Sequence, residues 1–216
     1  MQRNVRPWGG VCLGILIGAL VTTSACAPAF SDARMLRPGQ VEITPAVNAV
    51  GITENGDSTH TYNEYGARLL FGVGPRVNVG VGYARSDVLE KFGLGDFGFN
   101  TLAFGPKFSL VPDRIAVAMP VGFSFGEEMS VSDTFQIHPT LLMTVPLGEH
   151  VDFNPAVRLL VPTCDNCDTL IAFHAGFGLR TGRRVVVRPE VAFVVDPGED
   201  GVLWTFGVGV SLRSVK

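Results

Sequence analysis

The sequence predicts an all-β protein: a single up-and-down antiparallel β-barrel of about ten strands that crosses a membrane. Three observations lead there. From Val41 onward, runs of about ten residues alternate apolar with small or polar side chains, and each run ends in a break rich in Gly, Pro or Asp. The charged residues of the runs share the face opposite the large apolar ones. The connections between runs are alternately short and long.

The chain begins with Arg3 and Arg6, an apolar stretch from Val11 to Val21, and small residues around Cys26, the layout of a secretory signal peptide over 1–25. The apolar stretch is too short for a membrane-spanning helix, which needs about 20 apolar residues. In "TTSACAPAF", Ser24 and Ala25 before Cys26 suit a lipoprotein signal, although Thr23 stands where Leu is usual. Ala27 and Ala29 suit ordinary cleavage. Lipidation at Cys26 and simple cleavage both stay open, and 26–38 reads as an N-terminal linker ahead of a barrel domain at 39–216.

Ten strands are expected near 41–50, 62–73, 76–85, 97–110, 114–126, 134–145, 151–161, 169–180, 184–195 and 202–213. In "RIAVAMPVGFSF", Ile115, Val117, Met119, Val121, Phe123 and Phe125 fall on one face, because side chains alternate along a strand. The final strand repeats this with Trp204, Phe206, Val208, Val210 and Leu212. Connections at 74–75, 111–113, 146–150 and 181–183 are tight, whereas those at 51–61, 86–96, 127–133, 162–168 and 196–201 are mostly longer. A meander places alternate connections at one end, so the barrel has a short-turn end and a long-loop end. That asymmetry belongs to outer-membrane barrels, and an even strand number returns both termini to the periplasmic side.

Charge is segregated in the same way. Acidic residues crowd the long loops (Glu54, Asp57, Asp87, Glu90, Asp96, Glu127, Glu128, Asp133, Asp165, Asp168, Asp196, Glu199 and Asp200), with Lys91 the lone basic residue there. Arg76, Arg114, Arg183 and Arg184 cluster at the short turns. With 17 basic and 20 acidic residues overall, the chain carries no nucleic-acid footprint. An acidic pole suits a surface facing divalent cations and anionic lipopolysaccharide; the expected partners are lipopolysaccharide, outer-membrane lipids and the barrel insertion machinery.

Within the strands, Glu64, Arg68, Lys107, His138, Asp152, Arg158, Arg188 and Glu190 lie on the small-residue face, as do Glu42, Arg180, Gln136 and His174. Facing lipid at mid-membrane, an Arg or Lys costs about 2–4 kcal/mol, so this face must point inward and form a polar lumen network. Alternation alone does not say which face is inside, and the rival is a soluble periplasmic barrel, anchored by lipid at Cys26, with an apolar ligand inside. Tyr62, Tyr65, Tyr83, Phe97, Phe125, Phe135 and Trp204 sit near the long-loop ends, as an interfacial girdle would.

The pair Cys164 and Cys167 in "CDNCD" has metal-ligand spacing, but no second pair or matching His exists, and an exported chain favours a local disulfide. The loop carboxylates read as a solvated acidic surface, so no metal site and no cofactor are expected.

Through "FGPKFSLVPDRIAVAMPVGFSFG", "VVVRPEVAF" and the last strand, the chain resembles the small outer-membrane β-barrel proteins of Gram-negative bacteria over 39–213. Thr205, Gly207, Val210 and Leu212 match the terminal signal read by the barrel insertion machinery, although the chain ends "RSVK" without a terminal aromatic. The resemblance implies residence in the outer membrane, with long loops outside and termini periplasmic. Its role would be structural, surface-exposed or that of a narrow pore. The omptin proteases of that group share the strand count, but Asp57 and His60 are the one local Asp–His pair here and no second Asp pair accompanies them. The chain is therefore read as not an enzyme.

Overall fold

The structure is a computed structural model that describes residues 30–89, 98–126, 131–164, 167–182, 184–197 and 200–214. The signal segment 1–25, Cys26, Lys91, Phe97, Arg183 and the loop acids Glu90, Asp96, Glu127, Glu128, Asp165 and Glu199 lie outside the described residues.

The elements are β1 (Val41–Glu54), β2 (Asp57–Gly74), β3 (Val77–Val88), β4 (Gly98–Val111), β5 (Ile115–Ala118), β6 (Val121–Phe125), α1 (Val131–Thr134), β7 (Gln136–Ile137), β8 (Thr140–Met143), β9 (Val145–Pro146), β10 (Val151–Pro162), β11 (Leu170–Arg180), β12 (Val185–Val195) and β13 (Val202–Arg213). They make ten barrel strands. Both β5 and β6 pair with β4, and β7, β8 and β9 all pair with β10. Two of the three breaks fall at Pro120 and Pro139, which have no N–H to give to a ladder, and the third at Thr144, between β8 and β9. Both proline carbonyls still accept, from His138 N at 2.8 Å and Leu159 N at 2.9 Å, so pairing continues across those two breaks. Antiparallel pairing of β1 with β13, Ala46 opposite Gly209 and Val47 opposite Val208, closes the sheet and removes its edges.

The first long connection differs from expectation. Residues 51–61 are not a loop: β1 runs to Glu54, β2 starts at Asp57, and Asn55 and Gly56 make a two-residue turn with φ of 52° and 87°. Positive φ at both central positions is the tight hairpin turn that Asn-Gly favours, so the acidic run around it extends the hairpin. Gly51 is needed in this extension, because a Cβ there would collide with the Trp204 ring and with the Thr59 carbonyl 2.6 Å away.

Facing follows the period of two. Phe104, Leu141, Val157, Phe173, Phe193 and Phe206 point out, Phe206 with 62% of its surface free. Arg158, Arg188 and Glu190 point in and are 7%, 2% and 5% exposed. Tyr62 is a correction to the expected girdle: it faces inward at 1% exposure and meets Phe99 edge to face at a centroid distance of 6.0 Å. Tyr65 and Tyr83 do face outward.

Candidate functional site: a layered lumen

The lumen is built in three layers, and the lowest was not expected from the sequence. From Phe30 onward, the stretch read as a linker turns back inside the barrel at the short-turn end. Phe30, Ala33 and Leu36 recur every third residue and are all buried. That spacing was the available signal in the sequence. Gly39 N donates to Gly72 O at 2.7 Å at the rim. Ala33 N donates to Thr144 Oγ1 at 2.8 Å, and the Ala33 methyl packs with Ala116, Leu142 and Ala156.

The wall holds this segment mainly with cations. Arg188 Nη2 donates to Asp32 Oδ2 at 2.9 Å, and Arg213 stands 3.6 Å from the same oxygen. Lys107 Nζ donates to the carbonyls of Asp32 at 3.1 Å and Arg34 at 2.7 Å. Arg68 Nη2 donates to the Phe30 carbonyl at 2.9 Å. In return Arg34 reaches the wall, donating to Asp152 at 2.9 and 3.2 Å beside Arg180, which donates to the same carboxylate at 2.6 and 2.7 Å. Glu42 sits behind this ring, bonded by Arg213 and 3.7 Å from both Arg68 and Arg188. Buried charges are tolerated when partners replace water: the arginines and carboxylates here are ion-paired, and Lys107 is held by the two carbonyls.

The middle layer is polar with less charge. Glu64 accepts from Asn48 Nδ2 at 3.0 Å and Ser86 Oγ at 3.4 Å. His174 Nδ1 and Glu190 Oε1 are 2.9 Å apart, Arg158 Nε donates to Thr140 Oγ1 at 3.2 Å, and His138 Nε2 lies 3.1 Å from Gln136 Oε1. Between these groups and the glycine- and alanine-rich wall of β2–β4 is a cavity of about 130 Å³, floored by Phe30 and Ser31. Towards the long-loop mouth the β10–β13 side of the interior is apolar: Leu160, Leu170, Ala172, Val194 and Leu203 pack together, with Ile52 against them.

The expected lumen residues thus divide by what they meet. Arg68, Lys107, Asp152 and Arg188 hold the N-terminal segment, Glu64, His138 and Arg158 line the cavity together with Arg68 and Lys107, and Glu190 pairs with His174. Asp32, Arg34 and Arg213 are the partners that sequence reasoning missed, because nothing local shows that 30–38 meets the barrel wall. Cys164 and Cys167 are disulfide-bonded. His60 Nε2 lies 3.1 Å from its neighbour's carbonyl, Tyr62 O. Among the described residues, no three His, Cys, Asp or Glu side chains are grouped to hold a metal ion.

Two glycines measure how tightly the lumen is packed. A Cβ at Gly82 would meet nothing within 4 Å, whereas one at Gly207 would collide with Asn48 Oδ1 and stand 2.6 Å from Val47 O. Gly207→Ala is expected to lower stability by about 1–3 kcal/mol, and Gly82→Ala by no more than about 0.5 kcal/mol, in urea unfolding from lipid vesicles. Equal losses at the two positions would show that the cavity is not there.

A closed barrel with an apolar exterior and a charged, hydrogen-bonded interior is a transmembrane β-barrel. A soluble barrel around an apolar ligand would need Arg158, Arg188 and Glu190 in water, and they are not. In structural comparison the chain is similar to Ail, the attachment invasion locus protein of Yersinia pestis, at 14% identity and a TM-score of 0.41, covering 82% of this chain and 99% of that one. It is also similar to an outer membrane channel from Pseudomonas putida F1 at 10% identity and a TM-score of 0.49, covering 85% and 98%. The translocator domain of the autotransporter NalP from Neisseria meningitidis is similar at 8% identity and a TM-score of 0.47, covering 94% and 96%. No protein-family model and no curated protein matches the chain.

Proposed function

We propose that this protein resides in the outer membrane of a Gram-negative bacterium and acts there as a narrow conduit that is closed at rest. In this reading residues 1–25 direct export, the acidic long loops face outward towards lipopolysaccharide, and the short turns face the periplasm. The observation that carries it is the cavity of about 130 Å³ in the lumen, floored by Phe30 and Ser31 and lined by small residues together with Glu64, His138 and Arg158. A purely structural barrel has no need to keep space beside Glu64 and Arg158, whereas a conduit needs a wet section and constrictions, and apolar constrictions gate by dewetting. Ten strands are too few for a wide aqueous channel, which belongs to barrels of about 16.

In planar bilayers the protein is expected to give small, infrequent conductance steps. A silent bilayer would remove the conduit and leave a structural or adhesive surface role. Membranes washed with carbonate should retain the mature chain with Cys26→Ser. Release as a monomer stable in plain buffer would overturn residence in the membrane.

A further inference from the structure

The geometry points to residues Phe30–Pro38 as a built-in plug that leaves the lumen as a unit, exposing a cationic ring selective for small anions. This rests on the conduit reading above.

The path of the segment supports it. The chain enters at the rim, where Gly39 meets Gly72, and climbs to Phe30, whose ring lies against Gly209. Gly209 pairs with Ala46 and Arg188, five residues into β1 from Val41. Phe30 is therefore the deepest of the described N-terminal residues, and it floors the cavity. The hydrogen bonds and ion pairs of 30–36 with the barrel reach side chains of the wall, not a strand ladder. Withdrawal would thus leave the ten-stranded ladder intact.

The ring left behind sets the selectivity. With Asp32 gone, Arg68, Lys107, Arg188 and Arg213 face Glu42 at one level of the lumen, an excess of positive charge. Asp152 and Arg180 remain paired beside it. Rings of Arg and Lys are how pores select anions and phosphates. The seated plug fills this ring with a carboxylate and backbone carbonyls, the ligands an anion would replace.

The test uses a full mature chain with Cys26→Ser and a reporter thiol, Gly82→Cys, in lipid vesicles. A water-soluble, sulfonate-bearing thiol reagent is the probe. Asp32→Asn should speed labelling by about 10- to 100-fold, equivalent to about 1.5–3 kcal/mol for one charge-assisted hydrogen bond. Deletion of residues 30–37 should speed it further and give steady anion-selective current. Unchanged labelling after deletion overturns the plug. Faster labelling with a silent bilayer keeps the plug and overturns the conduit, because the apolar layer then seals the other end. Cation selectivity overturns the ring. If the deletion variant does not insert, Ala33→Cys with Thr144→Cys, in a chain with Cys164→Ser and Cys167→Ser, replaces it. Oxidised, this variant should be silent and regain openings on reduction; current through the oxidised form overturns the plug.

Discussion

Arg188→Leu is expected to lower the stability of the vesicle-inserted barrel by about 3–5 kcal/mol, among the largest losses any single lumen substitution should produce. Arg188 is 2% exposed and lies between two buried carboxylates, at 2.9 Å from Asp32 and 3.7 Å from Glu42, while its Nε donates to Ser211 Oγ at 2.7 Å. Leucine keeps the volume but removes the cation the two carboxylates share, leaving Asp32 with only Arg213 at 3.6 Å and Glu42 with Arg213 and Arg68. The loss comes mainly from Asp32, whose hydrogen-bonded cation is gone, so adding Asp32→Asn to Arg188→Leu should restore part of it, while Glu42 stays paired with Arg213. Urea unfolding followed by the fluorescence of Trp204 reads both variants. If the single substitution costs less than about 1 kcal/mol, the carboxylates reach water and the packed lower layer is wrong.

Val157→Arg should cost about 2–4 kcal/mol, whereas Leu147→Arg should cost about 0–1. Val157 is mid-strand in β10, faces out, and pairs with Leu141 and Phe173, both also exposed. Leu147 lies in a short turn and is 61% exposed. The contrast tests the membrane directly, because in lipid the cost of an exposed Arg depends on depth, while in water both substitutions would be nearly neutral. Equal small costs would mean that the apolar exterior does not face hydrocarbon.

Several features were open to inference from local pattern. The inward side of Arg158, Arg188 and Glu190 follows from the period of two once the apolar face is assigned to lipid. The disulfide of Cys164 and Cys167 follows from their spacing and expected compartment. The Asn55–Gly56 turn was also legible, since Asn-Gly between alternating runs is a strong hairpin signal; the acidic residues around it suggested a loop instead. For Tyr62 parity outweighs aromatic type: it is two residues before Glu64 and so shares its inward face.

What the sequence by itself determined is the strand pattern, its two faces and the segregation of charge between the ends, because these depend on backbone geometry repeated every two residues. Only the tertiary structure decided how the inward residues are layered along the axis. The height of a residue in a barrel depends on the register of every strand and on closure of β1 against β13, which no single strand encodes. The same holds for residues 30–38. They have no ladder of their own, and the cations that hold them come from β2, β4, β12 and β13, brought to one level only when the barrel closes.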